Sequence, residues 1–275
     1  MPLYKVSDWN FAYANGINIA GGERWPGMWA QAAKVFREEI SAQGRARLGL
    51  KYGPRPRNQF DLFLPESAPK GLVVYVHGGF WRMLDNSFGS HLAAGPLAHG
   101  FAVAMPAYTL TPEVRVTEIG REVAASIEGA AAMVAGPISL TGHSAGGQLV
   151  TRIVTTTTPL KDETVKRVRN VVSLAGLHDL RPMVQLDYNK DIGIDEAEAE
   201  LESPALLRPV DGVRLTCWVG QNERAEFVRQ SALLANIWTG LGAETDFYAE
   251  PDKHHFNIVD GLADPDHGIV KALVA

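Results

Sequence analysis

A serine stands between two glycines in the run GHSAG at residues 142–146, which has the spacing G-x-S-x-G. A β-rich run, residues 138–141, precedes it and a helix-compatible run follows. This is the strand, tight turn and helix that a nucleophile elbow needs. The flanking glycines allow a turn so sharp that Ser144 would take a strained conformation with its hydroxyl exposed. The pattern predicts a nucleophilic serine, although a bare match also fits a glycine-rich turn between a strand and a helix.

Such a serine needs a general base and an acid. Its hydroxyl is too weakly acidic to attack at neutral pH unless a histidine takes the proton and a carboxylate orients that histidine. The acid should follow the predicted strand 213–219, where residues 220–227 offer Glu223 and Glu226. We prefer Glu223, which lies within the loop, because Glu226 would begin the next helix, where a carboxylate has a structural explanation. Asp179, after an earlier strand, is a weaker candidate.

The base should follow the last predicted strand, where the run KHHFN at residues 253–257 supplies His254 and His255. From position alone either could accept the proton. Turnover should then fall as the pH drops through the ordinary histidine range, about pH 5 to 8. The other histidines fit less well by position; they are His91, His99, His178 and His267.

A metal site is the alternative interpretation of this C-terminal region. Its ligands would come from His254, His255, Asp260, Asp264 and His267. Two adjacent histidines cannot easily point at one ion from a regular element. We therefore expect no metal.

An oxyanion hole is predicted after the strand at residues 72–77, in the run HGGFW at residues 77–81. Glycines let the backbone turn its N–H groups toward a developing negative charge. We expect Gly79 and Phe80 to donate, together with Ala145 just after the nucleophile. His77 is expected to anchor this loop by hydrogen bonding rather than to act as a second base.

Phe80 and Trp81 could be core aromatics, but their place beside the predicted hole favours contact with the substrate. Rings crowding the carbonyl carbon would make a short acyl pocket for formyl or acetyl groups. The leaving group would lie against the N-terminal extension and the 178–212 connection. The aromatic residues there, as likely to be packing residues as a substrate wall, are Trp25, Trp29 and Tyr188.

The elements that must position these residues follow an α/β pattern from about residue 57 onward. Short β-branched runs alternate with longer amphipathic stretches, as in strands joined by crossover helices. Several runs are almost continuously apolar, which is typical of strands covered on both faces. We predict a mostly parallel central sheet with helices on both faces. The predicted strands are 59–64, 72–77, 102–106, 138–141, 171–175, 213–219 and 245–249, and the predicted helices are 28–43, 121–134 and 226–241.

Two regions fall outside this alternation within what we expect to be one domain of 275 residues. Residues 1–56 form an N-terminal extension. Residues 178–212 connect two core strands and could form a small lid or cap. Their acidic run, 191–203, could equally be a solvated helix with Asp195 near its start.

Composition excludes several classes of protein. Hydrophobic residues at 46% and charged residues at 21% are ordinary globular values. A net charge of −5 leaves no basic stripe for nucleic acid. The most apolar window, 123–140, is interrupted by Glu128, Gly136 and Pro137, so it is a poor candidate for a membrane span.

The single cysteine, Cys217, cannot form an intramolecular disulfide, and the first residues lack the pattern of a signal peptide. We expect a soluble, cytoplasmic protein that binds a small-molecule ester or amide. We expect no membrane partner and no nucleic acid, and the chain could form a homo-oligomer.

The motifs HGGFW, GHSAGG and KHHFN, in this order and spacing, resemble those of the α/β-hydrolase superfamily. The HGG-aromatic-Trp form is similar to the kynurenine formamidase (arylformamidase) branch and its esterase relatives. The resemblance covers roughly residues 55–260. The runs at 8–16 and 52–65 also look like the N-terminal part of that branch.

This resemblance implies a serine hydrolase of the carboxylesterase or arylformamidase type, with Ser144, Glu223 and His255 as its triad and no cofactor. It implies hydrolysis of small acyl esters or N-aryl formamides. It favours His255 over His254 because the family places its histidine directly before a phenylalanine. Where the family commonly carries aspartate, this chain offers glutamate. A general carboxylesterase without formamidase activity and a non-catalytic binding protein of this fold are the alternatives.

Overall fold

Eight strands form one sheet in the computed structural model of the protein, which describes residues 5–275. Across the sheet the order is β1-β2-β4-β3-β5-β6-β7-β8. Strand β2 is antiparallel to β1 and β4, and all the other neighbouring pairs are parallel. The predicted mostly parallel sheet is confirmed. The strands are β1 (Ala46–Lys51), β2 (Gln59–Phe63), β3 (Leu72–Val76), β4 (Ala102–Pro106), β5 (Ile138–His143), β6 (Val168–Leu174), β7 (Arg214–Gly220) and β8 (Glu244–Glu250).

Helices cover both faces of the sheet, and the three longest each bury one side. The α-helices are α1 (Trp9–Tyr13), α2 (Trp25–Ala42), α3 (Ala94–Ala98), α4 (Val116–Met133), α5 (Ala145–Ile153), α6 (Asp162–Val165), α7 (Asn189–Ile192), α8 (Glu196–Leu201), α9 (Ala225–Gly240) and α10 (Gly268–Val274). Short 3₁₀ helices lie at Gly16–Asn18, Gly22–Arg24, Asn86–Ala93, Arg181–Gln185, Pro204–Leu206 and Asn257–Ala263.

The two faces of the sheet form two separate hydrophobic cores, because successive side chains of a strand point to opposite faces. In β3, Val74 and Val76 pack in a core shared with α4, α5 and α9. Val73 and Tyr75 of the same strand pack in a second core shared with α2, α3 and α10. Burial on both faces explains why this strand is apolar at every position.

All seven predicted strands are present, with ends that differ by a few residues, but β1 is an addition. Its sequence, ARLGLK, is largely exposed, and Gly49, at a φ of 68°, interrupts the pairing with β2 between Arg47 and Leu50. Such a run has no continuous apolar pattern. The strand exists because β2 offers a free edge to pair with, which is a tertiary cause.

The 178–212 connection contains α7 and α8, and its acidic run is only partly solvated. Asp195 caps α8 by accepting a hydrogen bond from the N–H of Glu198, as the helix interpretation predicts. The carboxylate of Glu198 is buried, however, and it accepts bonds from Arg115 and from the backbone and hydroxyl of Thr117. These bonds fasten α8 to the start of α4.

The N-terminal extension contacts several of the elements that carry candidate site residues. Asn10 accepts a hydrogen bond from the N–H of Asp187 in the 178–212 connection, and the hydroxyl of Tyr13 donates to Glu226 of α9. Trp25, the first residue of α2, packs against His254 in the loop after β8. Among residues 5–275, no helix combines the length and apolar character needed to cross a bilayer.

Candidate active site

Ser144 lies in a very sharp turn between β5 and α5. Its φ of 56° and ψ of −117° fall in a region that residues other than glycine rarely occupy. A Cβ atom added to Gly142 would lie 2.2 Å from the carbonyl oxygen of Gly146, and one added to Gly146 would lie 2.0 Å from the carbonyl oxygen of Val76. Only glycine leaves room for this approach, so the two glycines of the motif have the steric role that the sequence predicts.

His255 and Glu223 are hydrogen bonded to each other. The loop after β7 carries Glu223, the loop after β8 carries His255, and the distance from Nδ1 to Oε2 is 2.8 Å. The side chains are 5% and 0% exposed, respectively. With Glu223 ionised, Nδ1 of His255 carries the hydrogen and Nε2 is free to accept a proton. The second carboxylate oxygen, Oε1, is buried and has no partner among the described residues.

Burial disfavours charge on both members of this pair. It raises the pKa of the Glu223 carboxyl well above its ordinary value, an effect that the nearby His254 opposes. Burial, with a smaller effect of His254, lowers the pKa of His255 to about 3. The imidazole is therefore neutral at neutral pH, which is the form that can accept a proton.

His254 has a different role from its neighbour. Its Nδ1 accepts hydrogen bonds from the N–H groups of Phe256 and Asn257, at 3.2 and 3.3 Å. The edge of its ring packs against Trp25 at 5.3 Å between centroids. These contacts shape the turn that carries His255, and they occupy the atom that would otherwise meet a carboxylate.

The other acid candidates are engaged elsewhere. Glu226 lies in the first turn of α9, as predicted, but it is buried and pairs with Arg229 in addition to Tyr13. Asp179 forms a two-point ion pair with Arg181. Within residues 5–275, no group of three His, Cys, Asp or Glu side chains is arranged to hold a metal ion.

Three backbone N–H groups are available near Ser144. In the described part of the chain, those of Gly79, Phe80 and Ala145 donate to no protein acceptor. The loop approaches the elbow closely, since a Cβ atom on Gly78 would lie 3.1 Å from the Cβ atom of Ser144. Phe80 has a φ of 50°, which is strained for an aromatic residue. The loop thus holds free donors beside Ser144 at a conformational cost.

His77 lies where the predicted anchor of this loop should be. Its Nδ1 donates to the carbonyl oxygen of Gly78 at 2.8 Å, and its ring stacks on Tyr108 at 4.3 Å. The hydroxyl of Tyr108 donates in turn to the carbonyl oxygen of His77. Burial lowers the pKa of His77 to about 4, so the ring is neutral at neutral pH.

The structure corrects the substrate role predicted for Trp81. Its side chain is completely buried in the core on the α4 side, and its indole N–H donates to Gln148 at 3.0 Å. A substrate has no surface of Trp81 to contact, so this residue holds the loop against α5. Phe80 is only partly buried, and its ring meets the edge of Tyr188 at 5.0 Å. Trp29 is a packing residue in the second core.

Two neighbours of His255 were not singled out by the sequence. Nε2 of His143 donates to the carbonyl oxygen of His255 at 2.8 Å, and the rings lie 4.6 Å apart. The ring of Phe227 packs against the ring of His255, with 4.5 Å between the centroids. His143 fills a position that the motif G-x-S-x-G leaves free, and Phe227 reads as an ordinary apolar residue of α9. No pattern marks either one.

Ser144 and His255 are close in the fold but share no hydrogen bond in this structure. Ser144 Oγ and His255 Nε2 make no hydrogen bond to each other or to another atom of residues 5–275. Catalytic hydrogen bonds in unliganded sites are often long and tighten only when the substrate binds. The bond from His143 to the His255 carbonyl nevertheless ties the two segments together one residue away from Ser144.

A family model described as the alpha/beta hydrolase fold matches residues 73–236 of this chain. The chain belongs to the α/β-hydrolase family. Its relatives include the kynurenine formamidases of Danio rerio, 26% identical over 98% of both chains, and of Drosophila melanogaster, 25% identical over 86% of this chain and 83% of that one. These matches confirm the resemblance that the motifs indicate, and the protein is a hydrolase.

Solved structures agree with this family. A candidate thioesterase from Silicibacter sp. is 42% identical, with a TM-score of 0.93, over 98% of this chain and 99% of that one. The carboxylesterase EstE1, cloned from a metagenomic library, is 15% identical with a TM-score of 0.67, over 88% of this chain and 97% of that one. The second likeness supports the fold alone.

The steric constraint at the elbow leads to a first prediction. Gly146→Ala should lower the free energy of unfolding by more than about 3 kcal/mol or prevent folding altogether. The reason is that the added methyl would overlap the backbone of β3. Urea unfolding followed by circular dichroism measures the change. Gly240→Ala is the matched control, since a Cβ atom there meets nothing within 4 Å, and it should be neutral or slightly stabilising. An equal loss in both variants would contradict the constraint.

Proposed function

We propose that this hydrolase cleaves small acyl esters or N-aryl formamides through a triad of Ser144, His255 and Glu223, with an acyl-enzyme intermediate. The observation that carries the proposal is the 2.8 Å hydrogen bond from His255 Nδ1 to Glu223. It leaves Nε2 of the base free, on a loop that His143 ties to the nucleophile elbow. The strained conformation of Ser144 supports the same assignment.

Acylation begins when Ser144 Oγ attacks the carbonyl carbon of the substrate. Nε2 of His255 takes the serine proton, and the carboxylate of Glu223 stabilises the imidazolium that forms. The carbonyl oxygen becomes negatively charged, and the free N–H groups of Gly79, Phe80 and Ala145 are the donors that can stabilise it. The imidazolium then protonates the leaving alcohol or amine as the bond to it breaks.

Deacylation repeats the same steps with water as the nucleophile. His255 takes a proton from water, the hydroxide attacks the acyl-serine ester, and the base returns the proton to Ser144 Oγ. The products are a carboxylic acid and the free enzyme. No metal or organic cofactor has a role in this sequence of steps.

The substrate class rests on the relatives and on Phe80. Two relatives that match most of the chain are kynurenine formamidases, which favours an N-formyl arylamine. Phe80 and Tyr188 form an aromatic contact next to the proposed oxyanion donors, which favours a short acyl group. A carboxylesterase without formamidase activity is the second candidate. The likeness to a candidate thioesterase adds acyl thioesters to the substrates worth testing.

The nucleophile assignment predicts that Ser144→Ala lowers kcat by about 10⁶-fold while the protein stays folded. It should also abolish labelling by a fluorophosphonate probe, measured by gel fluorescence. Ser67→Ala, at an exposed serine, is the matched control and should keep both labelling and turnover. Retention of more than about a tenth of the activity in Ser144→Ala would remove the triad.

The same experiment separates the two adjacent histidines. His255→Asn should lose turnover and probe labelling together, because Ser144 then has no base. His254→Asn should keep most of its turnover, since Asn can still accept a hydrogen bond in the turn. A larger loss in His254→Asn than in His255→Asn would reverse the assignment.

Burial of the base shifts the expected pH dependence. The base works only when neutral, and burial lowers the pKa of His255, so protonation should remove activity only at a pH below the ordinary value of about 6.5. The sequence analysis predicts that turnover falls within about pH 5 to 8. With the pKa of His255 lowered, we expect this loss of turnover at the acid end of that range or below it. The profile of kcat/KM from pH 4 to 8 measures it. A midpoint above 6.5 would mean that the charge of Glu223 outweighs burial.

A hydrolysis panel tests the substrate class. Aryl formate or acetate should exceed the matching octanoate by at least about tenfold in kcat/KM, and N-formylkynurenine should be cleaved. Phe80→Ala should narrow the gap between short and long acyl groups. A preference for octanoate would contradict the short pocket. Cleavage of aryl acetates but not of N-formylkynurenine would support the carboxylesterase function. Fastest turnover of an acetyl thioester would support a thioesterase function.

A further inference from the structure

A small cavity of about 20 Å³ lies beside the nucleophile elbow, on the face of the sheet that α2 covers. Its polar lining residues are Trp29 of α2, Tyr75 at the end of β3, His77 of the oxyanion loop and His143, which precedes Ser144. The rest of the lining is apolar or glycine. None of the steps proposed above uses this space.

The hydrogen bonds of the two histidines determine what they present to the cavity. A carbonyl oxygen only accepts, so Nδ1 of His77 must carry the hydrogen that it donates to Gly78. Nε2 of His77 is then an acceptor, and it is buried without a protein partner. By the same reasoning Nε2 of His143 donates to His255, which makes its Nδ1 an acceptor with no partner among residues 5–275.

Donors complement these two acceptors. The indole N–H of Trp29 is buried and has no protein partner. The hydroxyl of Tyr75 makes no hydrogen bond within the described chain, and Tyr75 is almost fully buried. Of these groups, His77 Nε2 and the indole nitrogen of Trp29 are buried atoms without a partner. An unpaired buried polar group costs about 1 to 3 kcal/mol, so two such groups around one cavity are costly unless something joins them.

We propose that this cavity binds one water molecule, which donates to His77 Nε2 and His143 Nδ1 and accepts from the indole N–H of Trp29. A volume of about 20 Å³ exceeds the roughly 10 to 15 Å³ that one water needs and leaves no room for a larger ligand. Water both donates twice and accepts, whereas an anion could not satisfy the two histidine acceptors. The hydroxyl of Tyr75 supplies a fourth partner.

The two histidines keep these acceptors at neutral pH. Burial lowers the pKa of His77 to about 4, and burial together with the nearby His255 lowers the pKa of His143 well below its ordinary value. Neither ring is protonated on its acceptor nitrogen under these conditions.

The water would connect three segments that the reaction needs in register. His77 belongs to the loop with the free N–H donors, His143 holds the backbone of His255, and Trp29 belongs to the N-terminal extension. Trp29 would then be a positioning residue that acts through the water on both histidines. This gives the extension a specific role in the site.

A crystal structure at better than about 1.5 Å tests the site directly, and it does so whatever the enzyme's substrate proves to be. We expect one water within hydrogen-bonding distance of His77 Nε2, His143 Nδ1 and Trp29 Nε1. Nitrogen-15 NMR of the histidines should show the Nδ1–H form of His77 and the Nε2–H form of His143. A dry cavity, or either ring in the opposite tautomer, would overturn the proposal.

Trp29→Phe tests the positioning role, because it removes the indole N–H and keeps an aromatic ring. We expect kcat to fall roughly three- to tenfold with KM little changed, and the signals of both histidine acceptor nitrogens to shift. Trp218→Phe is the control: its indole donates to Glu250 and its ring contacts Tyr248 and His267, none of which lines the cavity. It should leave the signals of His77 and His143 unchanged, whereas those of His267, which Trp218 contacts, serve as no part of the readout. An unchanged kcat and unchanged histidine signals in Trp29→Phe would refute the positioning role of Trp29. If that variant fails to fold, the wild-type crystal structure and NMR spectra still test whether the cavity holds the water.

Discussion

The contact between Gly146 and the backbone of β3 is the constraint on which the site depends. The α-carbon of Gly146 lies so close to the Val76 carbonyl that a Cβ atom would overlap it. This approach lets the chain turn from β5 into α5 within one residue, and it forces Ser144 into its strained conformation. Since β3 also leads into the 77–81 loop, the same contact sets the distance between Ser144 and the free N–H groups. One steric requirement therefore aligns two parts of the site.

The side chains that bury His255 are the second feature that fixes the site. Phe227 packs against its ring, His143 holds its carbonyl, and Trp25 packs against the neighbouring His254. These neighbours exclude water, so the pair with Glu223 is held in a medium where a hydrogen bond is strong and an isolated charge is costly. The position of His255 is thus determined by packing from three segments that are far apart in sequence, including the N-terminal extension.

The sequence predicts the parts of this molecule that local patterns control. Short β-branched and apolar runs identify seven strands, and the spacing of Gly142 and Gly146 identifies the elbow. The position of Glu223 within its loop singles it out correctly as the carboxylate that meets His255. What the sequence leaves out depends on tertiary contacts: β1 needs the free edge of β2, and His143 acts through a backbone carbonyl that no side-chain pattern reveals. Trp81 was misassigned because adjacency to a loop does not tell which way a ring points, and a positive φ turns this one into the core.

In the proposed mechanism, the environment of His255 has opposite effects on the two halves of the acyl transfer. A lowered pKa makes the imidazole a weaker base toward the serine proton and makes the imidazolium a stronger acid toward the leaving group. An arylamine leaves a tetrahedral intermediate only after its nitrogen is protonated, whereas an activated aryl alcohol can leave without that help. A buried base of this kind therefore slows the attack by the serine and speeds the step in which a protonated amine leaves. The negative charge of Glu223 limits the loss by stabilising the imidazolium during the attack. This balance fits the cleavage of an N-aryl formamide better than that of an ester with a good leaving group, for which the stronger acid brings no advantage.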